Sequence, residues 1–318
     1  MSLQNCDRLM IVLMIVLGGF FPLDSLGNDD VALQRIARGV YVYVGPHGEA
    51  SPENFGSVAN VAVIVGHDTV AVVDTGGSRS FGDRLLASIR RITDRPISHV
   101  INTHVHPDHI LGNAAFAALG ARIVGHHKLP RAMALRAPFY LENFSRLLGP
   151  AFAGTRLVPP DVLVESWLDI DLGGRRLTVL AHPTAHTDND LSVFDHATGT
   201  LFSGDLLFME RLPVVDGSLR GWFAVMQGLD RAGGPGATPI QRVVPGHGPA
   251  SAPWPSALAS QRRYLAALLR DTRAAVARGD GIQAAIDKVA PKERLGWLLH
   301  GDNHPRNVTS SYAELEWE

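Results

Sequence analysis

Hydrophobic positions along this chain fall into two periods, and the periods mark out its elements. Residues 39–44 alternate apolar and polar in the manner of a strand. Residues 59–65 and 69–73 are nearly continuous apolar runs joined by Gly66-His67-Asp68, which predicts a hairpin buried on both faces. Residues 78–92 repeat at helical spacing, with Phe81, Leu85, Ile89 and Ile92 on one side. Residues 97–102 read as a strand that runs directly into Thr103-His104. A second set follows. A short helix over 114–119 stops at Gly120, a strand covers 121–124, and 129–148 is helical up to Gly149-Pro150. Hairpins are predicted for 169–171 with 175–181 and for 191–194 with 200–202, and a last short strand for 242–244. Residues 256–278 form a long helix stopped by Gly279, 282–289 a shorter one, and 291–318 a polar but ordered extension carrying Trp297, Leu298 and Leu299. Each half runs strands first and helices after. That predicts an α/β protein with two sheets face to face and helices outside, an αββα four-layer sandwich.

The first segment stands apart from this pattern. Residues 9–21 form an uncharged apolar run that ends at Pro22, shorter than the roughly 20 residues a bilayer span needs. Arg8 precedes it and Ser25-Leu26-Gly27 follows, so residues 1–27 read as a secretory signal peptide. Residues 28–250 then form the catalytic domain and 251–318 a C-terminal helical extension. The expected location is the periplasm, with no membrane association after cleavage.

Composition removes several function classes. Apolar residues are 46% and charged residues 19% of the 318, which suits a globular fold. Lys plus Arg is 29 against 31 Asp plus Glu, so nothing electrostatic points to nucleic acid. The 1 Cys, Cys6, lies in the export segment, which excludes a disulfide framework and a thiolate metal cluster in the mature chain. Gly-x-Ser-x-Gly is absent, which disfavours an acyl-enzyme route through serine. The 14 His are numerous, and their spacing carries the chemistry.

Thr103-His104-Val105-His106-Pro107-Asp108-His109 places three His and one Asp in six positions right after a strand. In an extended chain His104 and His106 share one face and can bind one zinc ion. Pro107 interrupts the strand, so Asp108 and His109 point elsewhere and can serve a second ion. The further candidates are His186 in Ala-His-Thr-Asp, Asp205 in Ser-Gly-Asp and His247 in Pro-Gly-His-Gly. Each is expected at a strand end beside small residues that allow close approach.

This set resembles the metallo-β-lactamase superfamily, over roughly residues 40–248. The resemblance implies the αββα fold of that family and two Zn²⁺ per chain. It implies that His104, His106 and His186 hold the first zinc, that Asp108, His109 and His247 hold the second, and that Asp205 bridges them. Asp74, in Val-Asp-Thr-Gly, matches a family position that supports the ligands. Class B β-lactamases have a cysteine or a non-ligand residue where Asp205 stands, so the set is more similar to the glyoxalase II-type thioesterases. The stretches 297–300, 304–308 and 312–316 are similar to zinc metallohydrolases that accompany periplasmic quinoprotein and sulfur-oxidation systems.

The function these likenesses imply is hydrolysis of a small-molecule acyl bond (thioester, ester or lactone) by a metal-activated hydroxide, with Asp108 orienting it. A periplasmic redox system is the expected partner. The alternatives are a class B-like β-lactamase and a non-catalytic accessory protein. Residues 45–58 and 135–163 are expected to form specificity loops, with Phe55, Phe139, Tyr140 and Phe152 as apolar walls. His300 and His304 are read as packing or surface residues in preference to substrate contacts.

Overall fold

A computed structural model describes residues 31–232 and 238–318, so the expected export segment and Cys6 lie outside the described residues. The first half comprises β1 (Gln34–Ala37), β2 (Val40–Tyr43), β3 (Val61–Val65), β4 (Val70–Val73), α1 (Arg79–Ile92), β5 (Ile97–Ile101), α2 (Pro107–Ile110), α3 (Asn113–Ala117), β6 (Arg122–His126), α4 (Leu129–Leu148) and β7 (Val162–Val164). The second comprises β8 (Trp167–Asp171), β9 (Arg176–Ala181), β10 (Leu191–Asp195), β11 (Thr200–Phe208), α5 (Leu219–Gly228), β12 (Arg242–His247), β13 (Ala252–Pro253), α6 (Ala259–Arg278), α7 (Ile282–Lys288) and α8 (His300–Leu315). One sheet runs β1-β2-β3-β4-β5-β6-β7 and the other β13-β12-β11-β10-β9-β8.

Side-chain alternation sorts the apolar residues into layers. In β3 and β4, Ala62, Ile64, Ala71 and Val73 face the second sheet, where Leu177, Val179, Leu191, Val193 and Phe202 meet them. Their neighbours Val61, Val63, Val70 and Val72 point outward and bury Phe81, Leu85 and Ile89 of α1. Burying each such side chain is worth about 1.5–3 kcal/mol. Ser78 starts α1 by accepting the Phe81 N–H at 3.2 Å, and Gly279 ends α6 in the left-handed region at φ 72°.

The other outer layer is helical too. Leu201, Phe208 and Val243 of the second sheet share a buried cluster with Trp222 of α5, Leu265 and Leu268 of α6, and Val308 of α8. The segment after residue 250 is therefore the fourth layer of the sandwich. Among the described residues no helix is long and apolar enough to cross a membrane.

Two local expectations are corrected. The strand expected over 200–202 continues to Phe208, because Gly204 takes φ 50° and the register against β12 shifts there instead of breaking. The helix expected from 256 opens with a 3-10 turn at Ser256–Leu258 before α6 begins. The polar extension 291–318 carries a 16-residue helix, α8.

Candidate metal centre

The chain gathers its chemistry where several strands end along one side of the sandwich. His104 and His106 follow β5, and His186 lies in the loop between β9 and β10. Asp205 lies inside β11 and His247 ends β12. Pro107 opens α2 instead of merely interrupting a strand, so one helical turn, with His106 as its cap, carries Asp108 and His109, whose ring lies 4.2 Å from that of His104. Two further expectations are corrected here: Asp205 is mid-strand and His186 is on a loop, so neither is at a strand end. Small residues still govern both approaches. A side chain at Gly246 would collide with the Asp205 carboxylate, and one at Gly204 would come within 2.6 Å of Thr103 Cβ.

The structure brings all seven residues together as two groups, His104/His106/His186/Asp205 and Asp108/His109/His247. In the first, His106 Nδ1 is 2.9 Å from His104 Nε2 and 3.1 Å from His186 Nε2. Asp205 Oδ2 is 3.6 Å from His104 Nε2 and 3.4 Å from His186 Nε2. In the second, Asp108 Oδ2 is 3.5 Å from His247 Nε2 and 3.8 Å from His109 Nε2. Asp205 reaches this group as well, at 3.4 Å from His247 Nε2 and 3.3 Å from His109 Nε2. A tetrahedral shell with ligand distances of about 2.1 Å has edges of about 3.4 Å. Both groups have that size.

Each ring is oriented through its other nitrogen. His104 Nδ1 faces Thr103 Oγ1 at 3.0 Å, His109 Nδ1 faces Asp74 Oδ2 at 2.8 Å, and His106 Nε2 faces Asp216 Oδ2 at 3.1 Å. His186 Nδ1 faces the Val214 carbonyl at 2.7 Å and His247 Nδ1 the Val58 carbonyl at 3.0 Å. Thr103 Oγ1 already donates to Asp74 Oδ2 at 2.8 Å, so it too accepts from its histidine. Acceptors on all five outer nitrogens place the protons there and turn five lone pairs inward. Lone pairs facing each other at about 3 Å repel unless a cation lies between them. His109 Nε2 and Asp205 Oδ1 are buried without any hydrogen-bond partner, which is what metal ligands look like when protein groups alone are counted. The residues present fit divalent metal ions.

Electrostatics agree. Burial pushes the Asp205 carboxyl up, but the surrounding His247, His109 and His104 outweigh it and hold it well below the usual range. Burial also works against ionised Asp216, yet its hydrogen bond with His106 and the charges of His106 and Arg136 bring it down to about 2. Arg136 closes on Asp216 at 2.7 Å. Asp205 and Asp216 therefore stay ionised at the site.

Asp74 takes the supporting place expected of it, at φ 62°, holding both His109 and the Thr103 backbone N–H at 2.8 Å. Asp216 and Asn60 were not legible as site residues. Asn60 donates to the Pro245 carbonyl at 2.9 Å and takes its place beside the turn that carries His247. A cavity of about 380 Å³ opens beside Asp216, lined by Arg131, Leu135, Arg136, Thr184 and Asp188. Of the expected apolar walls, Tyr140 and Phe152 are buried in a core cluster, and Phe55 packs on the core with Arg84 4.3 Å over its ring. Phe139 is left 68% exposed on α4. His304 is buried against Tyr264, away from the seven ligands.

The sequence model of the Metallo-beta-lactamase superfamily matches residues 55–277. A linear primary-alkylsulfatase of Pseudomonas sp. (strain ATCC 19151) is 47% identical over 47 residues, which is 15% of this chain and 9% of that enzyme's length. A metallo-beta-lactamase from Pontibacter korlensis superposes with a TM-score of 0.60 at 21% identity, over 74% of this chain and 99% of that one. The stereoselective inverting sec-alkylsulfatase Pisa1 from Pseudomonas sp. superposes with a TM-score of 0.69 at 16% identity, over 89% of this chain and 50% of that one. With a family match across most of its length and a His/Asp cluster suited to divalent ions, the chain belongs to the metallo-β-lactamase superfamily.

Proposed function

We propose that this protein is an exported dinuclear zinc hydrolase acting on an acyl bond of a small molecule, a thioester, ester or lactone. The observation that supports it most is Asp205, whose oxygens lie 3.3–3.4 Å from His186, His109 and His247 and so join the two ligand groups. Nitrogen and oxygen ligands without sulfur, in groups of tetrahedral size, suit zinc. Two zinc ions, when bound, lower the pKa of a water toward about 7 and polarise the scissile carbonyl.

The chain's own groups do the rest. The five imidazoles are held in place through their outer acceptors. Asp108 commits Oδ2 toward His247 and His109, which leaves Oδ1 to orient the attacking water. Burial works against ionised Asp108, but His109 and His247, with a smaller contribution from Arg211, hold its carboxyl below the usual range. The cavity beside Asp216, lined by Arg131, Arg136, Thr184 and Asp188 with Leu135 on its wall, gives a polar group of the substrate a place to lie. Export to the periplasm rests on the apolar run at residues 9–21, and service to a periplasmic redox system on the C-terminal likeness.

A second reading, hydrolysis of an alkyl sulfate ester, is favoured by the 47-residue stretch shared with the linear primary-alkylsulfatase. One experiment separates the readings: metal analysis of the purified mature protein, with a panel of thioesters, lactones, β-lactams and alkyl sulfates. We expect two zinc ions per chain and turnover of an acyl substrate. Preference for alkyl sulfates supports the second reading, and turnover of a chromogenic β-lactam the β-lactamase alternative. A protein that binds no metal overturns all three. If alanine at His104 and His106 left the host pathway intact, a non-catalytic accessory role would replace them.

A further inference from the structure

The motif His304-Pro305-Arg306-Asn307-Val308 lies on α8, outside the residues the superfamily model matches, and the chemistry above does not use it. Its asparagine, Asn307, is fully buried and does not face the ligands. It faces the loop between β11 and α5. Asn307 Oδ1 accepts the Val215 N–H at 2.9 Å, and Asn307 Nδ2 donates to the Pro213 carbonyl at 2.7 Å. These two bonds bracket Val214. The Val214 carbonyl is the acceptor that orients His186, and Asp216, one residue past Val215, is the acceptor that orients His106. One side chain thus pins the three-residue segment behind two of the four ligands in the first group.

Asn307 is itself held. Its Nδ2 also donates to Tyr264 Oη at 3.0 Å, and Tyr264 Oη lies 3.0 Å from His304 Nδ1. Burial lowers His304 to about 4, so it stays neutral and accepts the tyrosine proton. One helical repeat further on, Glu314 takes the Ser218 hydroxyl at 2.7 Å and the Leu219 N–H at 2.8 Å. That caps the N-terminus of α5 and ties down the far end of the same loop. The near end is fixed by the Leu212 N–H to the Leu298 carbonyl at 3.0 Å.

We propose that Asn307, assisted by Glu314, is a positioning residue of the metal centre. Through it the C-terminal helix sets the orientation of His106 and His186, and with it the affinity of the first metal site. The inference rests on the metal-site reading above, and metal binding by the unaltered protein tests that reading separately. Removing outer partners of a metal ligand lowers affinity by roughly 10–100-fold.

The test is a cobalt(II) titration of the metal-free protein, read by ligand-field absorbance and by competition with a chelator. His186→Ala and His109→Ala mark the signal of each site. We expect Asn307→Ala to weaken the first site by about 10-fold or more, with a smaller loss at the Asp108/His109/His247 site. Glu314→Gln should weaken the same site by a smaller factor, and it carries the test if Asn307→Ala does not fold. Tyr312→Phe is the control, since Tyr312 Oη bonds the Asp280 carbonyl and loosens α8 without touching the loop. Binding at both sites unchanged in Asn307→Ala and Glu314→Gln overturns the proposal. So does equal loss at both sites, or the same loss in Tyr312→Phe, because either outcome describes general destabilisation.

Discussion

His106 Nε2 lies 3.1 Å from Asp216 Oδ2, across 110 positions of sequence. The contact leaves His106 Nδ1 as the atom that faces His104 and His186, whereas the other four histidines face inward through Nε2. An exposed aspartate would hold such a ring loosely, but Arg136 grips Asp216 at 2.7 Å from the opposite side. Replacing Asp216 with alanine frees the ring to rotate and leaves Arg136 unpaired beside the cavity. We expect the first site to lose about 10–100-fold in metal affinity, measured by chelator competition. Affinity equal to that of the unaltered protein would show that the ring is held by packing alone.

Two glycines hold the geometry by what they lack. Gly204 adopts φ 50°, and a Cβ there would come 2.7 Å from Thr103 Oγ1, the group that orients His104. Gly246 leaves the space that the Asp205 carboxylate fills. Overpacking of this kind costs about 1–3 kcal/mol. Gly204→Ala and Gly246→Ala should each lower the thermal midpoint, and Gly246→Ala should also reduce bound metal below two ions per chain. Full metal content in Gly246→Ala would mean that the carboxylate has another position available.

The metal cluster was legible because its largest piece is contiguous. Three histidines and an aspartate within residues 104–109 need no fold to be seen as ligands. His186, Asp205 and His247 were legible for a weaker reason, the small residues beside them, and the expectation that all lay at strand ends failed for two of the three. Asp216 was not legible. It sits in Val-Val-Asp-Gly-Ser, which reads as a turn, and its partner is fixed only when the β11–α5 loop folds over the site. Asn307 is a further step removed, since it acts on backbone atoms that carry no sequence signal. The layers were legible because β3 and β4 alternate between two cores, whereas α5 was missed because its ten residues are almost uniformly apolar and short.

Acid stability has a reporter outside the metal cluster. His182 is buried against Ser192, 2.7 Å away, and burial, aided by the neighbouring His126, lowers it to about 4. Its unfolded value is about 6.5. Between these values the unfolded chain binds the proton and the folded chain does not, so this contribution is complete above about pH 6.5 and is lost as pH falls toward 4. In metal-free protein, His182→Gln should flatten the pH dependence of unfolding free energy across that window, by up to about 1.4 kcal/mol per pH unit. Urea unfolding at a series of pH values reads it. An unchanged slope would place the proton uptake elsewhere.

Metal removal should act on the fold as well as on catalysis. The 104–109 segment extends from the first sheet, while His186, Asp205 and His247 belong to the second, so bound ions tie the two sheets together along one edge. A ligand that binds only the folded chain stabilises it by roughly 4 kcal/mol when present at about a thousand times its dissociation constant. Chelation should therefore lower the thermal midpoint by several degrees and abolish turnover, and zinc or cobalt(II) should restore both. Hydrogen exchange locates the effect: protection should fall at 104–109, at 183–190 and around His247, and stay unchanged in α1 and in β3 and β4, which apolar cores hold on both faces. A uniform loss of protection would instead mean that the metals hold the whole sandwich, and the apolar layers described above would then be insufficient to fold without them.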